Sequence, residues 1–104
     1  MVATPAQGEI WWAEAEDKRR PVLVVTRSEA APVLAGIVAA PVSRTVRHIP
    51  TEVHLGADEG LAVEWVASFD NLQRVRRSAL VARIGSLGPR RSEMCSSLRA
   101  LADC

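Results

Sequence analysis

The chain has 104 residues, suited to one domain with one core. Almost half of it is hydrophobic and a quarter charged, which excludes a disordered polyelectrolyte, and no apolar run approaches the roughly 20 residues that span a bilayer. Thirteen basic side chains against twelve acidic ones leave a net charge of +1, so any attraction for nucleic acid must come from local distribution.

Residues 1–7 read as a flexible tail without a basic end or apolar stretch, which fits a cytoplasmic protein and not a secretory leader. Residues 8–104 then form a single domain. Gly8 to Ala15 is the first strand, with Ile10, Trp11 and Trp12 at its centre. Glu16 to Arg19 is a charged turn. Pro21 to Thr26 is a β-branched run short enough for a buried strand, with proline at a strand start where one ladder donor can be missing. Ser28 to Val33 is a connection with room for one helical turn stopped by Pro32. Leu34 to Val42 is a third strand containing Gly36, and Ser43 to Ile49 is a polar, basic loop. Pro50 opens a short fourth strand in which Val53 and Leu55 alternate with Glu52 and His54. Gly56 to Gly60 is a turn by composition.

Leu61 to Phe69 is a fifth strand and Asp70 to Ser78 a polar connection. Ala79 to Ile84 is a sixth strand. From Arg90 to Ala102 the pattern turns helical, with Met94, Leu98 and Leu101 on one stripe. Six short strands and one terminal helix predict a mainly β fold, a small bent barrel with helical additions. Trp11 and Trp12 must point to opposite faces, so at most one is core; the other is a candidate dimer contact. Cys95 and Cys104 read as free thiols, since neither has a Cys or His at metal-ligand spacing.

A metalloenzyme signature, a glycine-rich phosphate loop and a G-x-S-x-G elbow are all missing from the sequence. What remains is a set suited to phosphate without a cofactor. Between Lys18 and His54 six basic residues stand against two acidic ones, and twelve of the chain's thirteen basic residues are arginine. The arginine fork matches phosphate, though a GC-rich genome produces the same bias. Arg20 precedes one strand, Ser43 ends another and Asp70 follows a third, so the three can meet at one mouth of a barrel. An arginine, a hydroxyl and a carboxylate cover most of what metal-free RNA cleavage needs. His48 and His54 read as solvent-facing, as do Arg76, Arg77, Arg90 and Arg91, although these arginines can also extend phosphate contacts.

Several segments together resemble one family. Gly8-Glu9-Ile10-Trp11-Trp12-Ala13, Arg20-Pro21-Val22-Leu23-Val24-Val25, Ile37 to Ser43, Pro50-Thr51-Glu52-Val53, and Phe69 to Leu72 followed by Arg77 to Leu80 are similar, in order and spacing, to the motifs of MazF/PemK toxins. The resemblance implies an SH3-like small barrel of the MazF/CcdB kind, paired as a two-fold homodimer. It implies a metal-independent, sequence-specific endoribonuclease acting on mRNA or tRNA loops, leaving a 2′,3′-cyclic phosphate and a 5′-hydroxyl. Arg20, Ser43 and Asp70 match the catalytic positions. Lys18, Arg19, Arg44, Thr45, Arg47, His48, Asn71 and Gln73 are the accompanying RNA-binding candidates. The implied partners are RNA and an antitoxin whose acidic, partly disordered segment fills the RNA groove; no cofactor or membrane is implied. Three departures stand out: the loop after the first strand is short, Asn71 replaces a glutamine, and Ser43 replaces the commoner threonine. The alternative on the same barrel is a non-enzymatic gyrase poison, which acts through a C-terminal aromatic tip; no aromatic residue follows Phe69 here.

Overall fold

The computed structural model describes residues 4–15, 18–28 and 30–101. Their strands are β1 (Glu9–Ala15), β2 (Lys18–Val24), β3 (Gly36–Ser43), β4 (Glu52–Leu55), β5 (Trp65–Ser68), β6 (Gln73–Arg76) and β7 (Leu80–Ser86), followed by helix α1 (Arg91–Leu101). All pairings are antiparallel, and the order across the sheet is β4-β5-β3-β2-β1-β7. β6 lies off this path and pairs with β3. The outer strands β4 and β7 do not pair with each other, so the sheet is a curled half-barrel, the mainly β, bent fold with a C-terminal helix that the sequence predicts. Two register shifts between β1 and β7, flanking Trp11–Trp12, add local twist where the sheet bends.

The branch at β3 organises the molecule. Its first half pairs with β6, from Gly36 opposite Arg76 to Ala39 opposite Gln73. Its last two residues pair with β5, Val42 opposite Ala67 and Ser43 opposite Val66. Alternation along β3 sends side chains to two cores. Ala40 and Val42 join Ile10, Leu23, Phe69 and Met94 under α1. Ile37 and Ala39 join Val22, Val24 and Leu80 on the other face. Phe69 is wholly buried, a contribution of about 1.5–3 kcal/mol from that side chain.

Several expectations need correction. The polar stretch 70–78 contains β6, which has a single apolar residue, Val75, and is held by its pairing to β3. The fifth strand is only Trp65–Ser68. Pro32 lies inside the 3-10 turn Ala31–Val33, where a missing amide hydrogen costs nothing, and does not stop it. In α1 Met94 and Leu98 face the first core as expected, Ser97 joins them with its hydroxyl donating to Pro50 O at 3.1 Å, and Leu101, expected on the same stripe, is exposed. Of the expected tail, residues 1–3 lie outside the described residues. Pro5 is buried, the Ala6 N–H donates to Glu9 Oε1 at 2.7 Å, and Gln7 bonds Ser28 Oγ and Val25 O. Trp11 packs against the second core, while Trp12 is half-buried. Cys95 is a free, exposed thiol; Cys104, Glu16 and Asp17 lie outside the described residues.

Candidate nucleic-acid interface

The candidate site lies on the face of the sheet opposite α1, and strand register assembles it. Glu52 stands opposite Ser68 and His54 opposite Val66 across β4–β5. Val66 stands opposite Ser43. Pro41 stands opposite Val22, and continuing that register by two positions sets Arg20 beside Ser43. On β1, Ala13 is opposite Arg20. Because side chains alternate, Glu52, Ser68, Ser43 and Arg20 share one face. Lys18 joins them at the end of β2, whereas Arg19 falls on the other face.

Arg20 and Ser43 line neighbouring hollows, where the sequence suggested one. The first, about 360 Å³, is lined by Ser43, Thr45, Arg47, Glu52, Ser68 and Asn71 among others. The second, about 300 Å³, is lined by Arg20, Glu14, Gln73, Arg74 and Arg76 over an apolar floor that includes Val22 and Val75. Asn71 and Gln73, two residues apart, link them. Arg20 is exposed and has no ion-pair partner among the described residues. The Ser43 hydroxyl accepts from the Thr45 N–H at 2.9 Å, an ordinary turn contact that leaves its own proton free to donate.

Asp70 is not in either hollow. Its Oδ2 accepts from Thr51 Oγ1 at 2.7 Å and from Arg47 Nη2 at 3.2 Å, while Oδ1 has no partner among the described residues. Arg47, expected to hold phosphate, is committed to the protein. Its Nε bonds Glu52 Oε2 at 3.0 Å and its Nη2 bonds Ser68 Oγ at 3.0 Å. Glu52 is the functional-site residue that sequence reasoning missed. Its carboxylate is only 1% exposed and also accepts the backbone N–H groups of Arg47 and His48 at 2.9 and 3.0 Å. Burial pushes its pKa up, but the Arg47 N–H, the Arg47 guanidinium and the His48 N–H outweigh burial and hold it below the ordinary value. The one available signal was Arg47, five residues earlier, since an inward-facing carboxylate in a strand needs a cation.

This latch fixes the loop after β3. His48 takes a left-handed conformation, φ 56°, and its ring lies 5.9 Å from that of His54. Arg44 reaches over Trp65, 5.9 Å from the ring centroid, a cation–π arrangement that leaves the guanidinium exposed at the rim. The result is a groove with free cations at Arg20 and Arg44, a free hydroxyl proton at Ser43, and amides at Asn71 and Gln73. Such a surface can grip a phosphodiester and polarise it.

Comparison with known proteins identifies the family. Residues 6–102 match the family model described as PemK-like, MazF-like toxin of type II toxin–antitoxin system. The chain is 38% identical, over its whole length and 98% of the relative, to a protein of Mycobacterium tuberculosis named probable endoribonuclease MazF5. It is 37% identical to the same organism's probable endoribonuclease MazF2, covering 94% of this chain and 98% of the relative. Among solved structures, the M. tuberculosis toxin MazF-mt6 superposes with a TM-score of 0.82 at 32% identity, over 89% of this chain and 94% of that one. A MazE-MazF structure from Deinococcus radiodurans superposes with a TM-score of 0.79 at 25% identity, over 95% of each chain. With nearly the whole length matched in sequence and fold, the chain belongs to the PemK-like, MazF-like family of toxins from type II toxin–antitoxin systems.

Proposed function

We propose that the chain is the endoribonuclease toxin of such a system, cutting single-stranded mRNA or a tRNA loop at a preferred sequence without a metal. What supports the mechanism is the β2–β3 register: continued two positions past Val22–Pro41, it sets the guanidinium of Arg20, which has no ion-pair partner among the described residues, across from Ser43, whose hydroxyl proton is free to donate. A phosphodiester laid over that pair receives a bidentate cation and a neutral donor on its two non-bridging oxygens. The ribose 2′-oxygen then attacks phosphorus as the P–O5′ bond breaks. The products are a 2′,3′-cyclic phosphate and a 5′-hydroxyl.

Asp70 takes the 2′-OH proton through Oδ1, the oxygen left free by Thr51 and Arg47. Arg20 stabilises the charge on phosphorus and donates a hydrogen bond to the leaving 5′ oxygen, which takes its proton from Arg20 or from solvent water as the P–O5′ bond breaks. A second carboxylate, Glu14, lines the Arg20 hollow and is the competing base on grounds of position. Glu52, gripped by three N–H groups, is not a base. Lys18, Arg44, Thr45, Asn71 and Gln73 hold the flanking strand. Arg19 lies outside the groove, and Arg47 and His48 shape its wall.

The same cationic groove suits an acidic, extended antitoxin segment; a MazE-MazF pair is what the D. radiodurans structure contains. The functional unit is a homodimer, with Trp12 in its contact, acting in the cytoplasm. None of the described helices is long and apolar enough to cross a membrane. The gyrase-poison alternative loses ground because the curated relatives carry endoribonuclease names. The test is cleavage of end-labelled RNA in EDTA. Wild type should cut and Arg20→Ala should not, with an unchanged circular-dichroism melt. Full activity of Arg20→Ala removes Arg20 from the mechanism, and inhibition of gyrase supercoiling without RNA cleavage overturns the nuclease reading.

A further inference from the structure

Four arginines are held by the protein itself. Arg47 pairs with Glu52 and Asp70, Arg83 with Glu9, Arg90 with Glu59 and Glu93, and Arg77 donates to Ala31 O. Arg74 and Arg76, on β6, have no ion-pair partner among the described residues and are exposed. Both line the Arg20 hollow, so three guanidiniums without an ion-pair partner among the described residues stand there against one described carboxylate, Glu14. Both also line a further cleft of about 550 Å³, walled by Ala35, Gly36 and Ser78, with no acidic side chain among its described lining residues. Arg74 and Arg76 are thus the shared wall of two adjoining basic cavities.

Gly36 completes the cleft. It stands opposite Arg76 in the β3–β6 register, and the Arg74 guanidinium occupies the space a Cβ at residue 36 would need. A Cβ on residue 36 would collide with Arg74 Nε and come within 3.0 Å of Cζ. The missing side chain therefore makes room for the cation.

We infer that the RNA path continues from the Ser43–Arg20 centre across β6 into the Arg74–Arg76 cleft, where these arginines bind phosphates flanking the cut. The inference rests on the ribonuclease reading above. A chain of like charges left without counter-ions along one track suits a polymer of regularly spaced phosphates. Guanidinium forks match phosphate better than they match an apolar anchor of a protein segment, and among the described residues lining the cleft Ala35 carries the single apolar side chain.

The test uses two RNAs that share one mapped cleavage site, one barely longer than the groove and one extended on both sides. For wild type, kcat/KM should favour the extended RNA. In Arg74→Gln and Arg76→Gln the ratio of extended to short should fall roughly tenfold each, the scale of a lost charge-assisted bond. Binding of a 2′-O-methylated copy of the extended strand, which cannot be cut, should lose about 0.7 from its salt slope per arginine removed. Gly36→Ala, which displaces Arg74 without removing its charge, should reproduce part of the Arg74→Gln effect. An unchanged ratio and slope in both arginine variants overturns the inference. So does loss of binding to poly-glutamate with RNA binding intact, which would make the cleft a docking place for an acidic protein segment. If wild type cuts no RNA but binds the methylated strand through Arg74 and Arg76, the nuclease reading fails and the RNA track stands.

Discussion

Replacing Glu52 with glutamine tests how the groove is held open. The carboxylate receives three N–H groups, two from the loop backbone and one from the Arg47 guanidinium. Glutamine keeps one acceptor oxygen and turns an amide NH2 toward the remaining donors. Hydrogen bonds to a charged group are worth about 1.5–3 kcal/mol each, and neutral ones about half as much. Losing one bond and weakening another predicts a cost of about 3 kcal/mol. For a domain near 100 residues that lowers Tm by roughly 12 °C or more. The sign with pH follows from the depressed carboxyl pKa. Its stabilisation is fully present above the ordinary Glu value of 4.5 and is lost as pH falls through the lower folded value. Thermal melts of wild type and Glu52→Gln at neutral pH should therefore differ widely, and the gap should close in acid. Glu9 and Glu93, also held below their ordinary values, weaken both proteins alike on acidification and cancel in the difference. Equal melts at neutral pH, or a gap that persists unchanged in acid, would refute the latch.

Ser43→Ala should lower kcat for RNA cleavage by about 10²-fold or more, the usual loss of one transition-state donor, while Ser43→Thr retains the hydroxyl and most of the rate; single-turnover cleavage measures both. Asp70→Asn should lower single-turnover cleavage by about 10²-fold or more, whereas a retained rate, with the loss falling on Glu14→Gln instead, transfers the base role to Glu14. Arg90→Met strips the buried Glu59 carboxylate of its 3.0 Å partner and should cost about 3 kcal/mol in urea unfolding, partly recovered by adding Glu59→Gln. Gly85→Ala drives a methyl group into the Glu59 carbonyl and should cost about 1–3 kcal/mol by the same assay, with no change in the RNA bound per folded molecule.

The strands with a continuous apolar or alternating pattern, β1 to β4, were legible because burial dictates those residues one by one. The positions of Arg20 and Ser43 on one face of the sheet were legible because each lies at the end of such a strand, where register decides its neighbours. β6 was invisible because Gln73, Arg74 and Arg76 carry no apolar signal; only pairing with β3 makes that segment a strand. Arg47 looked like a phosphate ligand because its charge is plain in the sequence, while the inward turn of Glu52 is decided by tertiary packing. The two hollows in place of one mouth have the same origin: adjacency of strands says which residues are neighbours, but the bend of the sheet decides how far their side chains converge.

The divided edge of β3 separates durability from substrate choice. β5 is clasped by β4 on its far side, while β6 is hydrogen-bonded, among the described strands, to four residues of β3 and adds one apolar side chain, Val75, against the second core. Fraying of β6 would loosen Val75 from the second core but leave Val53, Ala67 and Phe69 packed in the first, so the outermost arginines ride on a flap remote from the core under the helix. Mutation can therefore rewrite that flap, and with it the length of strand gripped, while the scaffold beneath stays the same.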